Sequence, residues 1–352
     1  MRALIDGPKH DRAPAQSAMR IGSSRDAVGV RAEAPQALRA LNVMQLAGHQ
    51  FPERTQLLGP LLHAGDLAMW FAARGVGKTQ VALSIAMALA FGGKFLRWHV
   101  RAPVGVLFLD GEMVGRVMQE RVASFLPADA GDELSENFRL FTPDLLPEGQ
   151  ALPDLSTADG QAMVESLIVG NTRVIVIDNL SAWCRTGKEN ETESWTPMAD
   201  WLLTLRRRGI AVVLIHHAGK NGEQRGNSKK EDPLDLVVRL RRAGDYDPKT
   251  GAAFTWSISK GRHLYGEDAA DLDLTLKIAD GVAQWNWKLA ETSTAERVTE
   301  LADEGMSVTM IAEELGLNRS TAWRALKKSG KLPTKPETKG VDKPRNAKER
   351  AD

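Results

Sequence analysis

Between an apolar run at 67–71 and a helix-like stretch at 80–91 stands Ala72-Ala73-Arg74-Gly75-Val76-Gly77-Lys78-Thr79. A strand, a glycine-bearing turn ending Gly-Lys-Thr and a helix, in that order, make a cradle for a triphosphate. Backbone N–H groups of the turn and the positive end of the helix surround the anion. Arg74, Gly75, Val76, Gly77, Lys78, Thr79 and Gln80 are the expected phosphate contacts. Lys78 is placed to reach the β and γ oxygens, and the Thr79 hydroxyl to hold Mg²⁺. The first position of the usual pattern is Gly, and here it is Ala72. A methyl is the smallest side chain that the passage from strand to loop could accept, so the cradle is expected to survive. The chemistry implied is binding and hydrolysis of ATP.

Splitting a phosphoanhydride needs a metal-linked carboxylate and a base that orients water. Four apolar runs end directly in residues that could supply them. Residues 104–109 lead into Asp110-Gly111-Glu112-Met113, and 174–177 into Asp178-Asn179. Residues 212–215 lead into His216-His217, and 254–259 into Lys260-Gly261-Arg262. Asp178, after four apolar residues, suits Mg²⁺; its other use would be to cap the next helix. Glu112 is the first candidate for the base and Asp110 the second. Adjacent histidines on an extended chain face opposite ways, so a shared metal is not expected. His217, in preference to His216, suits a group that senses the γ-phosphate. Lys260 and Arg262 alone would read as a solvated charge pair.

These positions need a scaffold. The runs at 69–72, 104–109, 174–177, 211–215 and 254–259 alternate with helical segments between 41 and 290. That pattern predicts a mainly parallel sheet covered by helices, which collects ligands at the carboxyl ends of its strands. The 352 residues, 43% hydrophobic and 26% charged, suit one sizeable α/β domain with small appendages. One cysteine, Cys184, excludes an internal disulfide and a cysteine-based zinc cluster, and fits a cytoplasmic setting. The apolar stretch 81–91 is too short to span a bilayer, and the first ten residues carry no apolar signal core, so no membrane partner is expected. Residues 1–40 read as a disordered arm and 331–352 as a basic disordered tail.

As an ordered set these motifs resemble the RecA-like motor of ring helicases of the DnaB and RepA type, over roughly 57–268. The phosphate loop is similar to the family's, where Ala for the first Gly is also tolerated. Glu112-Met113, with Arg121 nine residues on, resembles the start of the catalytic-glutamate helix, and 177–180 the Mg²⁺ aspartate segment. His216-His217-Ala218-Gly219-Lys220 resembles the His-His-x-x-Lys signature of the RepA branch. Arg225-Gly226-Asn227-Ser228 and the strand at 235–238 match the loop and strand that follow. The resemblance implies that Lys260 and Arg262 reach the γ-phosphate of a neighbouring subunit, and hence a homo-oligomeric, hexameric ring. The helical N-terminal domain of DnaB types has no counterpart in the short arm before Leu41.

In such a ring the loop 220–232, with Lys220, Arg225, Lys229 and Lys230, would face a central channel holding single-stranded DNA. Trp183, Cys184 and Arg185 could line the same channel; the loop's plain alternative is a surface segment without a ligand. Residues 291–330 predict a small all-α helix-turn-helix with helices at 294–304, 308–315 and 319–328. The stretch 307–328 resembles resolvase-type DNA-binding modules. Arg319, Ser320, Thr321, Trp323 and Arg324 would then be the contacts to duplex DNA; protein docking is the other use of such a module. The sequence thus predicts an ATP- and Mg²⁺-dependent DNA motor, a replicative helicase of a plasmid, phage or mobile element. A DNA-bound regulatory ATPase that switches assembly without unwinding is the alternative. A small-molecule kinase is disfavoured, since no lid-like arginine cluster follows the core.

Overall fold

The computed structural model describes residues 39–51, 53–127, 130–185, 192–219, 228–243, 246, 251–290 and 294–331. The expected arm (to residue 38), the tail from 332, and Lys220 and Arg225 of the loop lie outside the described residues. The chain divides into two units after Pro52. The described part of the first holds α1 (Val43–Ala47), closed by a reciprocal capping box between Asn42 and Gln45.

The second unit opens with β1 (Gln56–Gly59), β2 (Leu62–His63) and β3 (Leu67–Ala72), followed by α2 (Lys78–Phe91). The short strands β4 (Lys94–Phe95) and β5 (Trp98–Val100) join β1 and β2 in a four-stranded antiparallel sheet. Next come β6 (Gly105–Asp110), α3 (Gly115–Phe125), α4 (Asp132–Ser135) and β7 (Phe138–Phe141). They are followed by α5 (Ala158–Glu165), β8 (Thr172–Asp178), α6 (Leu180–Trp183), α7 (Thr192–Arg207) and β9 (Ala211–His217). The strands β10 (Leu236–Arg242), β11 (Ala252–Gly261), β12 (Leu272–Ala279) and β13 (Val282–Leu289) complete a nine-stranded sheet. Its order is β13-β12-β11-β10-β3-β9-β8-β6-β7. From β10 to β7 every pairing is parallel, while β11, β12 and β13 are added antiparallel.

The inner positions of β3, β6, β8 and β9 are apolar because both faces are covered, and their polar residues stand at the strand ends. Ala68, Trp70, Val106, Phe108, Val174, Val176 and Val213 belong to the core that includes α2. Leu67, Met69, Phe71, Leu107, Ile175, Ile177 and Leu214 pack with α7 and α6 on the other face. All of α2 from Val81 to Ala90 is buried. Its outer side is closed by the β12–β13 hairpin, whose Trp285 Nε1 donates to Ser84 Oγ at 2.7 Å. A helix apolar all round fits only such a doubly covered position.

Three further helices, α8 (Thr294–Asp303), α9 (Val308–Glu314) and α10 (Arg319–Lys328), enclose their own core of Val298, Leu301, Val308, Ile311, Ala312, Ala322 and Leu326. Ser307 caps α9 by accepting from Met310 N at 3.3 Å. Gly316 (φ +62°) makes the turn towards α10. Among the described residues no helix is long and apolar enough to cross a membrane.

Candidate nucleotide-binding site

Past the end of β3 the chain turns through Gly75 and Gly77, at φ +70° and +123°, and enters α2 at Lys78. Both angles lie where a Cβ is strained, and one on Gly77 would also press on Gln80 and Phe254 at 3.1 and 3.2 Å. The free N–H groups at the start of α2 belong to the same loop. Lys78 is buried, and its Nζ donates to the carbonyls of Ala72 and Ala73, each at 2.9 Å. Ala72 thus contributes its carbonyl, while its methyl is packed in the core. Burial draws the Lys78 ammonium down to about 8, against the pull of Asp178 and Glu112. An incoming phosphate would take the place of the two carbonyls and favour the charged form.

Parallel register brings the other candidates to the same edge. Ala72 pairs with His217, Ile215 with Asp178, and Asp178 with Asp110. The result is a cavity of about 620 Å³ lined by Arg74, Gly75, Gly77, Lys78, Thr79, Gln80, Glu112, Asp178 and His217. Of the expected cradle, Val76 is turned into the core instead. The Thr79 hydroxyl lies beside Asp178 and favours its charged form. Asp178 Oδ2 is buried and, among the described residues, has no hydrogen-bond partner. An orphaned carboxylate oxygen beside a threonine hydroxyl is a donor set suited to Mg²⁺, a hard cation that takes few protein oxygens and keeps its waters. Burial, reinforced by the charge of Asp110, raises Asp178 to about 6. It does not cap α6; Asn179 does, accepting from Ala182 N at 3.2 Å.

Asp110 is unsuited to the role of base. It is buried and accepts from Glu112 N and Met113 N, each at 3.2 Å, and from Thr142 Oγ1 at 2.9 Å. Its carboxylate holds the turn that presents Glu112. The Glu112 side chain is half exposed in the cavity, with Oε1 3.9 Å from His217 Nε2. His216 faces away and is fully buried.

Lys260 and Arg262 lie elsewhere. Because β11 runs antiparallel to β10, Gly261 is level with Leu236 and, through it, with Ala68. The pair therefore sits at the opposite edge of the sheet from the phosphate loop, four strand residues or ~13 Å back from Ala72. Lys260 Nζ donates to the carbonyls of Glu231 and Asp232. Arg262, half exposed, donates to Asp232 O at 3.0 Å and to Asp235 Oδ1 at 3.3 Å.

The structure adds residues to the site and removes others. Arg121 and Tyr246 line the cavity. Arg242 Nη2 donates to Gly75 O at 2.7 Å, and its guanidinium lies 4.7 Å from the centre of the Tyr246 ring. Arg121 could be found from its spacing to Glu112; Arg242 and Tyr246 come near the loop only through the β10–β3 pairing. Trp183 is fully buried against Phe141 and so is not offered to a channel, whereas Cys184 is half-buried, with burial pushing its thiol up to about 12, and Arg185 is exposed. Lys230 is also buried, which corrects its expected place among exposed loop cations. The Lys229 side chain lies outside the described residues. On α10, Arg319, Ser320, Trp323 and Arg324 are exposed and Thr321 is half-buried.

No curated protein matches the chain. A family model described as an AAA domain matches residues 32–223, more than half of the 352 residues. That span takes in the phosphate loop, Glu112, Asp178 and His217. A glycine-turned cradle at a helix start, with a half-buried threonine beside a buried aspartate and a facing glutamate, is what such a domain needs to hold and split a nucleoside triphosphate, and the chain belongs to this family of AAA-type P-loop ATPases.

Proposed function

We propose that the chain is an ATP- and Mg²⁺-dependent DNA motor that works as a RecA-like ring, hexameric and of the RepA type, in replication of a plasmid, phage or mobile element. In this reading Lys78 grips the β and γ oxygens, Thr79 and Asp178 hold the metal, and Glu112 takes a proton from the attacking water. His217, within 3.9 Å of Glu112, reports the state of that glutamate to the loop beyond β9. Tyr246, backed by Arg242, offers a flat face at the cavity's edge for the nucleobase.

The observation that carries the ring is the position of Lys260 and Arg262. At ~13 Å of strand from Ala72 they are beyond reach of the phosphates in their own cavity. A second copy packed head to tail would meet them, and such contacts close into rings. Both side chains also hold the carbonyls of Glu231 and Asp232, the downstream end of the loop carrying Lys220, Arg225 and Lys229. Drawing Arg262 towards a neighbour's γ-phosphate would release that end of the loop, a direct route from hydrolysis to a strand held in the channel. The exposed face of α10, read as the second helix of a helix-turn-helix, would hold duplex DNA.

Mixing tests this. Fingers supplied by a neighbour contribute on the order of 10³–10⁵ in rate. Arg262→Ala chains added to wild type should therefore lower ATP turnover more steeply than their mole fraction. Strictly proportional loss would remove the shared site. Strand displacement from a forked substrate should accompany turnover; stimulation by single strand without displacement would favour a regulatory ATPase.

A further inference from the structure

Behind the phosphate loop, at the other edge of the sheet, two histidines and a carboxylate converge from two segments, the β2–β3 turn and the end of β11. His63 ends β2, Asp66 lies in the turn before β3, and His263 leaves the end of β11 directly after Arg262. Asp66 is almost fully buried and His63 nearly so. Asp66 Oδ2 lies 3.5 Å from His63 Nδ1 and 3.8 Å from His263 Nε2. The donor atoms of all three lie within 4.8 Å of one another. The imidazole rings meet edge to face, with centroids 4.5 Å apart.

We propose that His63, Asp66 and His263 form a structural binding site for a divalent transition metal of the zinc type, pinning the segment that carries Arg262. Neutral imidazole and carboxylate are the ligands this class of ion takes, at about 2.0–2.2 Å in a tetrahedron, which separates ligand atoms by about 3.3 Å. The two measured separations from Asp66 need shifts of only tenths of an ångström to reach that value. His63 Nδ1 is buried and, among the described residues, makes no hydrogen bond of normal geometry; Asp66 Oδ2 faces it at 3.5 Å. The Leu61 carbonyl, 3.3 Å from His263 Nε2, stands near a fourth corner. Asp66 is oriented by His63 N, which donates to Oδ2 at 2.8 Å, as supporting hydrogen bonds orient the ligands of known sites.

Arg54 is the ion's competitor. Its guanidinium pairs with Asp66 Oδ1 and lies 3.4 Å from His263 Nδ1. The site can hold the arginine close or the metal, so removing the arginine charge should strengthen metal binding. This inference stands apart from the motor reading, since nothing in it depends on DNA or on a ring.

The test is zinc titration of the full chain, stripped with a chelator, against a chromophoric competitor. One equivalent is expected, with Co²⁺ giving the intense visible bands of a tetrahedral centre. His263→Gln should weaken binding at least tenfold with the circular dichroism unchanged, and Arg54→Gln should tighten it several-fold, a gain that misfolding cannot produce. Asp178→Asn should bind zinc as wild type does, separating this site from the nucleotide cavity. Zinc should raise the melting temperature of wild type and not of His263→Gln. Absence of binding by both wild type and Arg54→Gln, or binding that His63→Gln and His263→Gln leave unchanged, would overturn the proposal.

Discussion

Burial holds a proton on Asp178 up to about pH 6, against an ordinary value of 3.8. Between those values the folded, nucleotide-free chain keeps a proton that the unfolded chain has released. Stability therefore falls as pH rises through this window and stays lowered above it. The full penalty is on the order of 3 kcal/mol, at about 1.4 kcal/mol per unit. Asp178→Asn, similar in shape and still able to accept from Thr79, should melt a few degrees higher than wild type at pH 7.5 in the absence of nucleotide. The difference should vanish near pH 4, while turnover of ATP is lost at every pH. Scanning calorimetry across that range checks the sign: a variant less stable than wild type at pH 7.5 would mean that the carboxylate contributes to the fold. Lys78 and Thr79 were legible from the glycine-bearing turn that ends Gly-Lys-Thr, and Glu112, Asp178 and His217 because each stands at or just past the end of an apolar run, where parallel pairing sets such positions side by side. Arg242 and Tyr246 were not, since neither follows that rule and only the neighbouring strand brings them near Gly75.

At the scale of elements, the five runs read from the sequence all lie in strands of the large sheet, which begin or end up to two residues away. The β12–β13 hairpin was missed although its signal is present: alternating residues flank Asp280-Gly281, with φ of +52° and +78°, the sign a two-residue hairpin turn requires. The four-stranded sheet of β1, β2, β4 and β5 left little signal, because strands of two to four residues have no readable period. The join between β6 and α3 is where packing fixes the chemistry. Gly111 stands between Asp110 and Glu112, and a Cβ there would lie 2.6 Å from Ala182 Cβ and 3.0 Å from Trp183 Nε1. Gly111→Ala would push the turn away from α6 and carry Glu112 with it. We expect destabilisation of about 1–3 kcal/mol and a fall in kcat of tenfold or more, with KM for ATP little changed because Lys78 and Thr79 stay in place. A variant with wild-type kcat would show that the position of Glu112 is not fixed by this contact.

At the scale of the whole molecule, 46 basic residues against 45 acidic ones leave a net charge of +1, too little for bulk attraction to a polyanion. On the reading proposed above, affinity for duplex DNA would then come from local cations. On α10, Arg319 and Arg324 are exposed, and the guanidinium of Arg324 donates back to Ser320 O at 3.2 Å, which holds it against the helix. If each meets one phosphate, log K for duplex should fall with log salt by about 0.9 less per arginine removed. The double variant Arg319→Ala, Arg324→Ala should thus flatten the salt slope by about 1.8, measured by fluorescence anisotropy from 50 to 300 mM salt. The core of α8, α9 and α10 does not include either side chain, so the fold and the DNA-free ATP turnover should be retained. An unchanged slope would assign duplex binding to some other surface. A flattened slope, with stimulation of turnover by single strand intact, would separate the two DNA contacts: α10 to hold the duplex, and the loop ending at Asp232 to follow the strand.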